Sequence, residues 1–291
     1  VHAGQSLDQQ TQNWLFWLIF IAFAIKMPIF PFHTWQPDTY EQSPTPVTII
    51  LSALMVKMGM FAVLRWLFPV LPDGVSFWSE TIIILSIIGI VYASCLAIVQ
   101  TDLKRLVAYS SIAHMGLMSA AAFSDSQVGM HGLLVQMFNH GINITGMWLI
   151  VSMIENRWGT RDMNKLGGMA TAAPQMAIAL VILAFANIAL PLTNGFIGEF
   201  MLFHGIFQGE SAYHIGFMAV AGVGIILGAV YTLNMVQKAA FGNEAAMISD
   251  KDMSMNESLA MALIVVLVIF LGVYPKPLLE LTASVAAAMV P

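Results

Sequence analysis

Apolar residues fill this chain in long runs, and polar residues gather in the short stretches between them. The runs fall at about 12–32, 47–70, 77–99, 103–123, 128–153, 173–207, 214–240 and 257–275. Each is near or above the ~20 residues that a helix needs to cross the hydrocarbon core of a bilayer. They are too long and continuous to be barrel strands. The pattern predicts an all-α, polytopic transmembrane helical bundle of about eight membrane segments. Turn formers and most charges sit in the connections: Gln36-Pro37-Asp38, Pro72-Asp73-Gly74, Asp102 to Arg105, Glu155 to Gly168, Glu210, and Gly242 to Glu257.

Composition agrees with that pattern. Of 291 residues, 58% are hydrophobic and 9% charged; about a quarter would be charged in a soluble domain. So little charge cannot cover a water-facing surface, and no basic patch points to nucleic acid. The single Cys95 excludes a disulfide framework and a cysteine-based metal site. The 21 methionines, scattered at helical positions, read as packing or lipid-facing residues rather than a copper site. The chain opens on Val1 without a signal-peptide pattern and is expected to be part of a longer protein.

The basic residues predict an orientation. Lys104, Arg105, Arg157, Arg161, Lys165, Lys238 and Lys251 fall on one side of the predicted segments, and only Arg65 and Lys276 on the other. The positive-inside rule puts the first side in the cytoplasm.

Two segments carry breaks. The first contains Lys26-Met27-Pro28-Ile29-Phe30-Pro31, the sixth Leu190-Pro191-Leu192-Thr193-Asn194-Gly195. Proline removes an amide donor and clashes with the preceding turn. In lipid, a helix broken at Pro28 or Pro191 survives only inside protein or beside a water-filled cavity. Either break read alone is a simple kink. Two of them, each close to an ionisable residue, predict discontinuous helices of the transporter kind.

The same argument selects the chemistry. Lys57 stands in the middle of the run from Thr48 to Leu64, too deep to snorkel. A lysine at a helix centre costs about 3 kcal/mol, which makes it a functional candidate or one half of a buried ion pair. Lys26, two residues before Pro28, either snorkels or lines a polar cavity. Glu199 follows the second break and can exchange a proton or hold a static salt bridge. His114 and His140 lie near the centres of the fourth and fifth segments, with Asn139 and Asn143 beside the second. Histidine titrates closest to physiological pH, so the pair suits a proton relay along a hydrated axis. His131 and His204 lie nearer segment ends and carry little weight. No histidine pair has metal-ligand spacing. Lys104 and Arg105 open the fourth segment, either as part of the positive-inside signal or where protons enter.

These residues sit in recognisable motifs. The stretch from Lys26 through His33, Trp35 and Pro37 to Asp38, followed by Ser43-Pro44-Thr45-Pro46, resembles the signature of the proton-conducting antiporter-like subunits of complex I. So does the stretch from Gln100 through Asp102, Lys104, Arg105, Tyr109 and His114 to Gly116. Glu199, in Gly195-Phe196-Ile197-Gly198-Glu199-Phe200, together with Arg161-Asp162-Met163 and Gly167-Gly168, resembles the M type (subunit 4 type). The L and N types and many Mrp subunits carry lysine at the place of Glu199.

The resemblance implies a 14-helix fold of two inverted repeats, of which this chain matches the last eight helices. Residues 1–70 would then end the first repeat, 71–256 form the second, and 257–291 supply a C-terminal helix and tail. It implies a proton pathway through Lys26, Lys57, His114, His140 and Glu199, and a bacterial inner membrane location. Lys26 would pair with a glutamate on a helix outside this sequence. Expected partners are neighbouring antiporter-like subunits of the L and N types and the lipid bilayer, with no nucleic acid. No cofactor or metal is expected in this chain: NADH, FMN, iron–sulfur clusters and quinone would be held by other subunits of the oxidoreductase. The rival readings are a subunit of an Mrp-type sodium/proton antiporter and a membrane scaffold without transport.

Overall fold

The computed structural model describes residues 6–242 and 252–289. Lys251 and most of the last predicted connection lie outside the described residues. Almost all of what is described is helix, and the sole strand-like feature is a bridge between Asp102 and Asp162. In chain order the helices are α1 (Gln9–Lys26), α2 (Trp35–Gln42), α3 (Thr45–Val70), α4 (Pro72–Val99), α5 (Leu103–Ala122), α6 (Gln127–Trp158), α7 (Met169–Ala172), α8 (Pro174–Asn187), α9 (Asn194–Phe207), α10 (His214–Ala240), α11 (Met255–Val273) and α12 (Lys276–Ala287). A helix stands on each predicted apolar run. Four of them, α3, α4, α10 and α11, are long and apolar enough to cross a membrane.

The run predicted at 12–32 stops being helical at Lys26, ahead of Pro28. The run at 173–207 splits into α8 and α9 around Pro191. In that second gap Leu190 N reaches back to Phe185 O, and Ala189 and Leu192 take left-handed φ values of 53° and 76°. Non-glycine residues there are strained by about 1–3 kcal/mol each, so the surrounding packing must hold the gap open. Helix α3 is widened by two π-helical stretches, Leu51–Met55 and Val63–Leu67. Helix α12 is an addition to the predicted elements. It is only 12 residues long and carries Lys276 and Glu280 on one exposed turn, so no apolar run announced it.

Local chemistry marks the other helix ends. Ser126 caps α6, Gly159 ends it at φ 66°, and Ser254 forms a capping box with Glu257 at the start of α11. Asp102 caps α5 by accepting from Lys104 N at 2.8 Å and Arg105 N at 3.1 Å, and it also pairs with Arg161 Nε at 3.1 Å. Asp102→Ala is expected to lower stability by about 1 kcal/mol through the lost cap. Thermal unfolding of the purified protein in detergent checks this, and an unmoved midpoint would remove Asp102 from the helix start.

Apart from a small group of Val135, Leu271 and Leu278, the buried apolar side chains form two layers. One, at the Lys104 end, contains Tyr40, Ile112, Ile144, Trp148 and Leu180. The other contains Phe16, Phe20, Met60, Ile87 and Met118. On α5 the change comes between Ala113 and Met115, and on α6 between Leu133 and Ile144. On the outside, α10 and α11 expose Ile215, Ile226, Leu259, Leu263 and Val266, an apolar face suited to lipid or another membrane subunit.

Candidate functional site: a polar row between two apolar layers

The level at which one apolar layer gives way to the other is where the buried polar side chains meet. Lys57 on α3 is buried and follows the first π-helical stretch, in which Val56 N bonds Leu51 O instead of the usual carbonyl. Such bulges recur at functional positions. Lys57 Nζ donates to Ser52 O at 2.6 Å and lies 2.7 Å from His140 Nδ1 on α6. Both partners are neutral acceptors when Lys57 is charged. His140 Nδ1 then takes the lysine's hydrogen bond, and its own ring proton sits on Nε2. That nitrogen is buried and has no hydrogen-bond partner among the described residues.

The His140 ring faces that of His114 on α5, with centroids 5.3 Å apart at 63°. His114 Nδ1 lies 3.1 Å from Glu199 Oε1 on α9. Gln136, one turn before His140 on α6, donates from Nε2 to the same oxygen at 3.3 Å. Side chains from four helices thus line up in a row, Lys57–His140–His114–Glu199, with Gln136 at its end and a ring contact between the two histidines. Glycine lets α9 come this close: a Cβ on Gly198 would overlap the Gln136 side chain.

Asn139 and Asn143, expected beside a hydrated axis, reach the second break with their amide nitrogens. Asn139 Nδ2 donates to Asn194 O at 2.8 Å, and Asn143 Nδ2 to Ala186 O at 3.3 Å. They occupy backbone carbonyls on either side of the Pro191 break, where the helical ladder is interrupted. Gln136 escaped the sequence reading. Its position one turn from His140, on the face that carries Asn139 and Asn143, was the available signal.

Lys26 stands apart from the row. Its side chain is exposed and has no ion pair or hydrogen bond to a described residue, although its Cβ would lie 3.1 Å from a Cβ built on Gly59, two residues beyond Lys57. Lys104 is buried and pairs with Glu155 at 3.4 Å. Around it Arg105 bonds Asp38 and Glu41 at 2.8 Å each, and Arg161 reaches Glu41, Asp102 and Glu155. Lys238 joins the same end through Asn164 at 3.0 Å. His131 bonds Leu279 O and Thr282 on α12, and His204 stacks on Phe200, so neither enters the row. A crevice of about 770 Å³ opens at the far end, beside Arg65, Glu80, Asp125 and His214, and includes none of the row's residues.

Known proteins share this arrangement of helices. The chain is 39% identical over 273 residues to NADH-quinone oxidoreductase subunit M of Rickettsia bellii, covering 92% of this chain and 54% of that protein. It is 34% identical over 268 residues to the subunit of the same name from Escherichia coli, covering 91% and 52%. The chain therefore spans about half the length of the relatives it matches. Among solved structures, respiratory complex I from Thermus thermophilus with bound NADH superposes at a TM-score of 0.85, with 28% identity over 98% of this chain and 60% of that one. The Mrp complex from Dietzia sp. has a TM-score of 0.87 at 20% identity, covering 94% and 59%, and shares the fold. Residues 2–225, with both breaks, both lysines, both histidines and Glu199 among them, match the family described as NADH:quinone oxidoreductase/Mrp antiporter, transmembrane, and the chain is a multi-pass membrane protein belonging to that family.

Proposed function

We propose that this chain is part of an M-type membrane-arm subunit of a proton-translocating NADH:quinone oxidoreductase, and that protons cross it along Lys57, His140, His114 and Glu199. The observation that carries the reading is the row itself: Lys57 Nζ 2.7 Å from His140 Nδ1, and His114 Nδ1 3.1 Å from Glu199 Oε1, joined by two facing histidine rings. A proton leaving Lys57 Nζ arrives at His140 Nδ1, and the proton on Nε2 is released toward His114. His114 hands one on to Glu199 through Nδ1. Each imidazole receives at one nitrogen and gives from the other, which is how a histidine pair conducts without moving far. Glu199, and the M-type names of the relatives, favour this over an Mrp-type sodium/proton antiporter.

In this reading about eight segments cross a bacterial inner membrane, and the gaps at Pro28 and Pro191 are discontinuous membrane helices. Residues 1–70 end one inverted repeat, 71–256 form the next, and 257–291 follow as a terminal helix and tail. Lys104 and its ion-pair cluster face the cytoplasm, where protons enter. Lys26 answers to charge in a neighbouring antiporter-like subunit of the L or N type. Electron transfer, with its NADH, FMN, iron–sulfur clusters and quinone, belongs to other subunits.

The test uses the full-length subunit in its assembled complex. Glu199→Gln keeps the shape and the hydrogen bonding but cannot carry a proton, and is expected to slow NADH-driven proton release on the order of tenfold or more. Pumping at the normal rate would remove Glu199 from the path.

A further inference from the structure

Beyond Glu199 lies a second buried polar group that the row does not use. Tyr231 on α10 donates its hydroxyl to Ser110 Oγ at 3.1 Å, and Asn187 Nδ2 donates to the same oxygen at 3.0 Å. Asn187 Nδ2 also reaches Thr232 Oγ1 at 3.4 Å. All four residues are buried. Ser110 sits one helical turn before His114, and Asn187 is the last residue of α8 before the Pro191 break.

These four side chains satisfy one another's hydrogen bonds, and a polar group of this kind at membrane depth is a candidate functional place. A partly open cavity of about 30 Å³ lies between Asn187 and Tyr231 of this group and His114 and Glu199 of the row, and all four line it. That is more than the roughly 10–15 Å³ of probe-occupied space that one water needs, and the lining offers the two to four polar partners a bound water requires. The hydrogen bond from Gln136 and the close approach of His114 Nδ1 both fall on Oε1 of Glu199. A partner from the cavity would hold the carboxylate from its other side. The Tyr231 oxygen, having donated its own proton to Ser110, is left with lone pairs to accept from that partner.

We propose that this cavity is a water site whose occupant bonds Glu199, and that Tyr231 is the positioning residue that holds the water there. The inference rests on the reading of Glu199 as a proton carrier. With the water in place, the carboxyl group stays aimed at His114 Nδ1 whether or not it carries its proton: ionised, it accepts from the water, and protonated, it donates to it. The other walls of the cavity, Ile90, Leu117, Phe203 and Ile225 among them, offer no competing hydrogen bond.

Infrared difference spectroscopy of the assembled complex tests this, with Glu199→Gln identifying the protonated-carboxyl band of Glu199. Tyr231→Phe removes one oxygen and keeps the ring. It is expected to move that band to higher frequency, as a carboxyl group freed of a hydrogen bond does, and to slow proton pumping severalfold. Ser110→Ala removes the acceptor that fixes the Tyr231 hydroxyl and is expected to move the band in the same direction by less. A wild-type band in Tyr231→Phe overturns the proposal. Failure of the underlying reading looks different: Glu199→Gln then pumps normally, while Tyr231→Phe still shifts the Glu199 band.

Discussion

Replacing Lys57 by methionine in the full-length subunit is expected to abolish NADH-driven proton translocation through it while leaving the complex assembled. Methionine is unbranched and fills much the same space, so the contact between α3 and α6 survives. Two hydrogen bonds disappear, to Ser52 O at 2.6 Å and to His140 Nδ1 at 2.7 Å. Leaving those acceptors without a donor costs about 1–3 kcal/mol each. Removing a charge from membrane depth returns about 3 kcal/mol, so the fold is left close to balance. The proposed transport path is not: the row loses the group on α3 that lies within hydrogen-bond reach of His140. Lys57→Arg sharpens the test. Arginine keeps the positive charge and the donors but does not give up its proton in a protein, so it is expected to fail as methionine does. If charge alone mattered, arginine would restore pumping. Proton uptake by membrane vesicles on addition of NADH, normalised to assembled complex, separates these outcomes, and undiminished pumping by Lys57→Met would falsify the row.

The second large effect is structural. Gly205→Leu is expected to prevent stable packing of α6 against α9. A Cβ on Gly205 would fall onto the backbone of Gly129, and one on Gly132 would lie 2.6 Å from Met201 Cβ. These helices touch backbone to backbone, as membrane helices do where small residues face each other. No flexible side chain stands at the contact to turn aside, so the helices themselves must separate. Overpacking of this kind costs about 1–3 kcal/mol and more where the backbone must move. Glu199 lies on the same helix, between Gly198 and Gly205, so a displaced α9 also draws the carboxylate away from His114. Gly216 on α10 provides the control: a Cβ there meets nothing within 4 Å. Gly216→Ala is expected to change stability by no more than about 0.5 kcal/mol. Thermal unfolding in detergent and the amount of assembled complex compare the two variants, and equal behaviour would mean that α6 and α9 are not in this close contact.

Much of this molecule can be read from residue order because its decisive terms are local. Apolar runs too long for a soluble core become helices wherever they occur. Proline inside an apolar run breaks the helix in the turn before it, which is why the gaps after Lys26 and after Asn187 were legible. A lysine or glutamate deep in such a run declares itself by its cost, so Lys57 and Glu199 needed no structure to be noticed.

What no local rule supplies is which way each helix is turned about its axis. The Lys57 and His140 positions are 83 residues apart in sequence, and Gln136 and Glu199 are 63 apart. Hydropathy reports how much of a helix is apolar but not which neighbour its few polar groups meet. For that reason the bonds of Asn139 and Asn143 to Asn194 O and Ala186 O were not foreseen, Gln136 was passed over, and the Tyr231–Ser110–Asn187 group went unseen. Sequence alone determined that this chain is a bundle of membrane helices with breaks and buried charge. Only the tertiary structure decided that glycine contacts bring α9 against α6, and that the charges and imidazoles fall in one row between two apolar layers, because hydrogen bonds of 3 Å depend on helix rotation and close approach.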